Sequence, residues 1–200
     1  MTTLNNLMID IETLGTRPNA PVTTVGACFF DPMTGEIGAK FYRKVDMVDA
    51  MRFGSADAET IRWWLQQDPA AQRELVKGAD LLADVLRDLA KFYAQGRDTS
   101  VWGNGPTFDI TILEYAYYKC LGEKAPWPFW NVRDVRTVVQ LAAGLVQKPA
   151  AFTKDAVAHN ALDDCIFQVA YVSKMWQALR PTSPQPAPKP LIDADDDFSI

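Results

Sequence analysis
Cysteine is scarce in this chain. The three cysteines, Cys28, Cys120 and Cys165, are odd in number, sit in apolar surroundings and include no C-x-x-C. This argues against a disulfide framework or a zinc site and fits a reducing compartment. A basic excess is missing too. The formal net charge is −5, and residues 181–200 alone carry one lysine and four aspartates. That is not the profile of a protein that coats DNA, so any contact with nucleic acid has to be local or run through metal ions. Long apolar runs are also missing. None approaches the roughly 18 residues of a membrane span, and the first residues lack a basic segment followed by an apolar one. The expectation is a cytoplasmic protein with no membrane partner. No segment repeats, and histidine occurs once, as His159.

What is present suits a globular domain. The chain has 200 residues, 48% of them hydrophobic and 22% charged, enough for one domain with a sizeable core. Residues 4–13, 22–31 and 36–46 read as strands, the last two joined by the turn "PMTG". Ser55 is the expected N-cap of a helix over 56–67, and a short helix runs from Pro69 to near Gly78. Leu82, Val85, Leu86, Leu89 and Phe92 recur at helical spacing within 79–95. A short strand over 100–104 runs into a glycine turn and a helix over 107–122. "WPFWNV" is the expected last strand, and helices follow over 133–145 and 161–179. Three strands followed by strand–helix alternation predict an α/β or α+β domain with a mixed sheet over residues 1–180. From Pro181 the composition changes. "PTSPQPAPKP" has five prolines in ten residues and reads as an extended tail, which ends in the acidic "LIDADDDFSI".

The stretch "LMIDIETLG" at 7–15 sets two acids in an apolar run. Alternate strand residues share a face, so Asp10 and Glu12 point the same way, with Cα atoms about 6.6 Å apart. Like charges that close repel, and burying them unpaired is costly. A solvated edge strand is the plain reading; a ligand crevice at the strand end is the other. A second Asp-x-Glu, at Asp57 and Glu59, reads simply as first-turn helix acids. "VWGNGPTFDI" puts Asn104 in a glycine turn and Asp109 in the first turn of a helix. "AHNALDDCIF" puts His159 just ahead of a helix carrying Asp163 and Asp164. Each feature alone has a structural reading. Together, Asp10, Glu12, Asp109 and Asp164 make a set of hard oxygen donors, which suits Mg²⁺ or Mn²⁺ rather than zinc. Two such cations, about 3.5–4 Å apart, would offset the repulsion and act on a phosphodiester. His159, with an ordinary pKa of about 6.5, would accept a proton from the attacking water.

These residues resemble the DEDDh 3′–5′ exonucleases. The family pattern is Asp-x-Glu on the first strand, Asp at the start of a central helix, and His-x-Ala-x-x-Asp near the C-terminal helix. Here "DIE", "FD" and "HNALDD" occur in that order within residues 5–180, and the spacing from His159 selects Asp164 over Asp163. The "TIRWWLQQ" helix is similar to a subgroup of phage and prophage exodeoxyribonuclease VIII-like enzymes and mycobacterial-type exoribonucleases. The resemblance implies a ribonuclease H-like α/β fold, with a mixed five-stranded sheet flanked by helices. It implies a metal-dependent 3′–5′ exonuclease that releases nucleoside 5′-monophosphates from a nucleic acid with a free 3′ end. DNA is expected on the subgroup resemblance, with RNA as the alternative. A non-catalytic module binding nucleic-acid ends is more distant; a missing acid would favour it, and none is missing. Carried over, Asp10, Glu12 and Asp164 hold the catalytic cation. Asp10 also reaches a second cation, with Asp109 helping through waters, and His159 is the general base. Thr13 and Leu14 occupy the places that touch the terminal 3′-hydroxyl and wedge at the last base. Several relatives are homodimers, so a homodimer belongs to the same expectation.

Weaker features complete the reading. Trp63 and Trp64 are about 100° apart on a helix. One is expected to line the substrate cleft and stack on bases, packing being the plain alternative. Arg133 and Arg136 are candidate phosphate contacts, as are Arg17, Arg43 and Lys44, although solvated arginines explain the first pair as simply. The acidic tail would dock a replication or recombination partner, or cover the cleft as a phosphate mimic. A solvated tail is the simpler reading.

Overall fold
The computed structural model describes residues 4–147, 149 and 160–180. His159 and the tail over 181–200 lie outside the described residues. β1 (Asn6–Thr13), β2 (Val22–Phe30) and β3 (Ile37–Lys44) form an antiparallel meander. β4 (Ser100–Gly103) and β5 (Val132–Asp134) add parallel to β1, giving the order β3-β2-β1-β4-β5. This is the expected mixed five-stranded sheet. β2 is apolar at nearly every position because both of its faces are covered, and all nine of its residues are buried.

The period of two in a strand divides the core into two layers. Leu7, Ile9, Ile11, Val25, Ala27, Phe29 and Val101 meet α4 (Leu82–Tyr93) and α5 (Pro106–Ala116) on one face. Met8, Cys28, Phe30 and Trp102 meet α6 (Val135–Leu141) and α7 (Ala161–Leu179) on the other. Each fully buried Leu, Ile or Met in these strands contributes about 1.5–3 kcal/mol. Two short helices, α2 (Ala58–Leu65) and α3 (Pro69–Val76), close over the end of β1, where Leu14, Trp64, Ala71 and Leu75 form a small satellite core. Among the described residues no helix is long and apolar enough to cross a membrane.

The structure moves several expected boundaries. The N-cap of α2 is Asp57, whose carboxylate accepts from the Thr60 amide at 2.7 Å, and not Ser55. A one-turn helix, α1 (Met47–Ala50), is capped by Asp46 and has no periodicity to announce it. α4 starts at Leu82 and not at 79, because Asp80 bridges to Val45. The last strand starts at Val132. Pro128 has no N–H for a ladder and leads into a single 3₁₀ turn, Phe129–Asn131. α6 starts two residues later than expected because Asp134 caps it, accepting from the Arg136 and Thr137 amides.

Topology brings function-bearing ends together. β1, β4 and β5 run parallel, so their C-terminal ends share one edge, where α5 and α6 begin. α7 reaches the same place across β2. Asp10, Gly26 and Tyr42 stand in register on β1, β2 and β3. Gly26 leaves room for the first turn of α7: a Cβ there would fall on the Ala161 carbonyl carbon and the Leu162 nitrogen. Asn160 caps the helix, accepting from the Leu162 and Asp163 amides at 3.1 and 3.2 Å. Its amide also donates to the Tyr42 hydroxyl at 3.1 Å, which ties the cap to β3.

Gly26→Ala therefore lifts α7 off the sheet, at a cost of about 1–3 kcal/mol from overpacking. Thermal unfolding measures this as a clear drop in Tm; an unchanged Tm contradicts the close seating of α7.

Candidate active site
Asp10 and Glu12 lie on the β1 face that α7 covers, because they continue the alternation of Met8. Asp164 sits in the first turn of α7. Carboxylate oxygens of Asp10, Glu12 and Asp164 all come within 4.8 Å of one another. One turn further along α7, the buried Gln168 donates its amide to Asp10 at 2.8 Å. Its carbonyl oxygen Oε1 is buried beside this cluster with no hydrogen-bond partner among the described residues. The β1–β2 register shifts between Glu12 and Thr13, and Thr23 donates its hydroxyl to the Glu12 carbonyl at 3.0 Å. Such irregularities re-aim side chains beside functional sites.

Asp109 stands apart from that trio. It is buried in the first turn of α5, and its Oδ1 accepts from the Ile11 amide at 3.3 Å, which fixes it to β1 between the two acids. Asn104 lies in the turn before α5. Its backbone carbonyl accepts from Arg136 Nε at 2.9 Å. The four expected acids thus gather at one end of the sheet. His159 lies outside the described residues; its chain neighbour Asn160 is the α7 cap.

The charges press on one another. Burial first, then the charges of Asp109, Glu12 and Asp164, hold Asp10 well above the usual carboxylate range, while the Gln168 amide works against them. Glu12 is pushed up to about 8 by burial, with Asp164 and Asp109 adding to it. Burial pushes Asp109 up to about 7, partly offset by the Ile11 amide and the charge of Arg136.

Beside Glu12 opens a cleft of about 500 Å³, lined in part by Thr13, Thr16, Thr60, Trp63, Trp64 and Phe108. Its wall is pinned from α2. Trp64 Nε1 donates to the Thr13 carbonyl at 2.9 Å, and the Asp57 amide donates to the Leu14 carbonyl at 2.9 Å. Trp64 is buried, whereas Trp63 is 41% exposed over the cleft, so the tryptophan pair divides into a wall and an open face. Leu14, expected as a wedge at the last base, is instead committed to packing against Trp64, Ala71 and Leu75. Phe108 opens to the cleft and was not singled out from the sequence. The hydrophobic stretch around it signals a helix, not a lining.

The basic candidates also divide. Arg43 is paired with Asp80 at 2.7 Å and Asp88 at 2.6 Å, and Lys44 with Glu74, so neither stands ready for phosphate. Arg133 donates to the carbonyls of Trp130 and Val132. Arg17 is exposed beside Thr16 and Asn19. Arg136 alone of these acts on the acid cluster, through Asp109.

The model of the Rv2179c-like 3′–5′ exoribonuclease domain family matches residues 5–176. The chain belongs to this family. It is a 3′–5′ exonuclease of the DEDDh type, with a ribonuclease H-like fold. An exodeoxyribonuclease of Enterobacteria phage T4 is 26% identical over 193 residues, covering 80% of this chain and 84% of the phage protein. The fold is shared with the E. coli ExoI–ssDNA complex in its zinc-bound form, at a TM-score of 0.63 and 15% identity over 84% of this chain. This chain spans only 39% of that ExoI chain. The nuclease domain of 3′hExo, a DEDDh member bound to rAMP, superposes at a TM-score of 0.59 and 15% identity, covering 88% of this chain and 93% of that domain.

Membership of the DEDDh family implies divalent metal ions, and the residues fit them. The donor set is all oxygen, three carboxylates converge, and the orphaned Gln168 Oε1 sits buried beside them. A cation placed there offsets the repulsion that holds the acids protonated.

The sign of the pH dependence follows. Between 4.5 and about 8, native Glu12 keeps a proton that the unfolded chain has released. The folded state binds more protons across that window, so this stability is present below it and lost as pH rises through it. Asp57, Glu74 and Asp88 are held low, and their opposite contribution is lost only as pH falls below the ordinary carboxylate range. Without metal, Tm should therefore fall between pH 4.5 and about 8, and Mg²⁺ or Mn²⁺ should restore it most at the upper end. A flat profile in chelator contradicts this electrostatic account.

Proposed function
We propose that the chain removes nucleotides one at a time from the 3′ ends of DNA, releasing nucleoside 5′-monophosphates. The observation that carries this is the convergence of Asp10, Glu12 and Asp164 within 4.8 Å, with Glu12 also lining an aromatic-walled cleft. Asp10, Glu12 and Asp164 would hold the catalytic cation, Mg²⁺ or Mn²⁺, and Asp10 with Asp109 would serve a second. Cations held by these residues would supply positive charge to a phosphodiester as its bond is broken. Gln168 holds the Asp10 carboxylate in its rotamer. His159 takes the proton from the attacking water, whose oxygen bonds to phosphorus as the P–O3′ bond breaks; the departing O3′ takes a proton from solvent water and becomes the new 3′-hydroxyl.

Position along the strand is read by the cleft. The Thr13 backbone lies next to Glu12, and Trp63 and Phe108 offer faces to the terminal base. Stacking tolerates any base, which suits an enzyme that digests from an end. DNA is favoured by similarity to the phage T4 exodeoxyribonuclease across 80% of this chain. RNA is the second reading, favoured by the exoribonuclease description of the matching family. A cytoplasmic setting belongs to the same proposal, since Cys28, Cys120 and Cys165 are all free thiols.

End-labelled single-stranded DNA, duplex DNA and RNA, incubated with Mg²⁺ or Mn²⁺, test this directly. A 3′-shortening ladder fastest on DNA is expected; a ladder faster on RNA overturns the substrate assignment. Asp10→Ala should abolish the ladder while leaving the fold intact, and robust hydrolysis by that variant contradicts the scheme. His159→Ala should keep metal uptake and lose roughly 10²–10⁴-fold in rate, as removal of a general base does.

A further inference from the structure
Away from the catalytic cleft, the structure leaves three large aromatic side chains in water side by side. Tyr118 is 70% exposed, Phe129 69% and Trp130 66%, and all three line one cleft of about 640 Å³. Isolated exposed aromatics are ordinary, but a contiguous set marks a binding surface. This one is held rigid. Residues Tyr117–Leu121 wind as a π turn, a geometry frequent at functional sites. The turn sends Tyr117 inward, its hydroxyl donating to the Leu86 carbonyl at 2.7 Å, and leaves Tyr118 outward. Buried Trp127 forms the floor, donating to Glu114 at 3.2 Å. Arg133 grips the Trp130 carbonyl at 2.7 Å, and the Phe129 and Trp130 rings meet edge to face at 4.9 Å.

The charge of this surface runs against that of the chain. Residues 114–133, which include the cleft's own Glu114 and Glu123, hold Lys119, Lys124 and Arg133 against those two glutamates, a local excess of +1 in a protein of net charge −5. Lys119 and Lys124 are exposed, and neither forms a salt bridge among the described residues. Exposed aromatics with lysines nearby complement a single strand, whose bases stack and whose phosphates carry charge. The place fits as well. α5 and the turn after it run from Asp109 at the catalytic end to Tyr118, about 13 Å along the axis.

We propose that Tyr118, Phe129 and Trp130 form a stacking platform for single-stranded nucleic acid upstream of the 3′ end being hydrolysed, with Lys119 and Lys124 supplying positive charge to its phosphates. The inference rests on the nuclease reading above and adds to it a second contact, used only by substrates long enough to reach. It separates binding from chemistry: the platform tightens long strands and leaves the bond-breaking step alone.

The test compares the intact chain with the triple variant Y118A/F129A/W130A, using Mn²⁺, a dinucleotide, and an oligomer of about ten nucleotides. For the oligomer, KM should rise about tenfold or more with kcat unchanged, while both constants for the dinucleotide stay the same. Trp130→Phe should keep the wild-type KM. An oligomer KM unmoved by the triple substitution overturns the platform, and so does an equal rise for both substrates, which marks a merely structural role. Loss of self-association in the variant, with KM unmoved, makes the patch a protein interface and also overturns it. Failure of the unaltered chain to hydrolyse either substrate overturns the nuclease reading, and this inference with it; the two failures are therefore distinguishable.

Discussion

Repulsion among buried carboxylates is the constraint around which this molecule is arranged. Asp10, Glu12, Asp109 and Asp164 come from three elements spread over most of the chain, and each raises the cost of charging its neighbours. Nothing in a folding chain favours such a gathering for its own sake. It is held because the surrounding structure over-determines it. α7 is seated on Gly26, capped by Asn160 and tied to Tyr42, and α5 is fastened through Asp109 to the Ile11 amide. The two apolar layers on either side of the sheet supply the free energy that keeps the acids together. A divalent cation placed among them would turn the same repulsion into affinity, because releasing it would be part of what binding gains.

The arrangement also separates scaffold from reading surface. The face of the sheet under α4 and α5 is packed with aliphatic and aromatic side chains. The opposite face carries the same packing as far as Met8 and changes to carboxylates at Asp10 and Glu12. α2 and α3 use Trp64 and Leu14 as a wall, which leaves Trp63, Thr60 and Phe108 to face what enters.

Much of this was legible in the sequence, and the limits of legibility are physical. The acid pair on β1, the aspartate opening α5 and the aspartate in the first turn of α7 each sit in a local pattern of strand, glycine turn or helix start. The alternation around "PMTG" gave the meander, and the spacing of Leu82 to Phe92 gave α4. What stayed hidden depends on partners far along the chain. Gly26 looks like any strand glycine until α7 lies on it. Gln168 looks like a polar helix residue until its amide meets Asp10. Arg43 and Lys44 look available until Asp80, Asp88 and Glu74 take them. Leu14 follows Glu12 closely enough to suggest a wedge, yet its side chain is claimed by α2 and α3. Local periodicity fixes which element a residue joins; it does not say which of two apolar neighbours a later helix will cover.

The central claim is that cation affinity arises from relief of protonation and repulsion in this acid cluster. Calorimetric titration of the metal-free chain with Mn²⁺, repeated in buffers of different ionisation enthalpy, measures both uptake and the protons released with it. The account predicts saturable binding with net proton release at neutral pH, and smaller release for Glu12→Gln. Binding without proton release, or no binding at all, contradicts it.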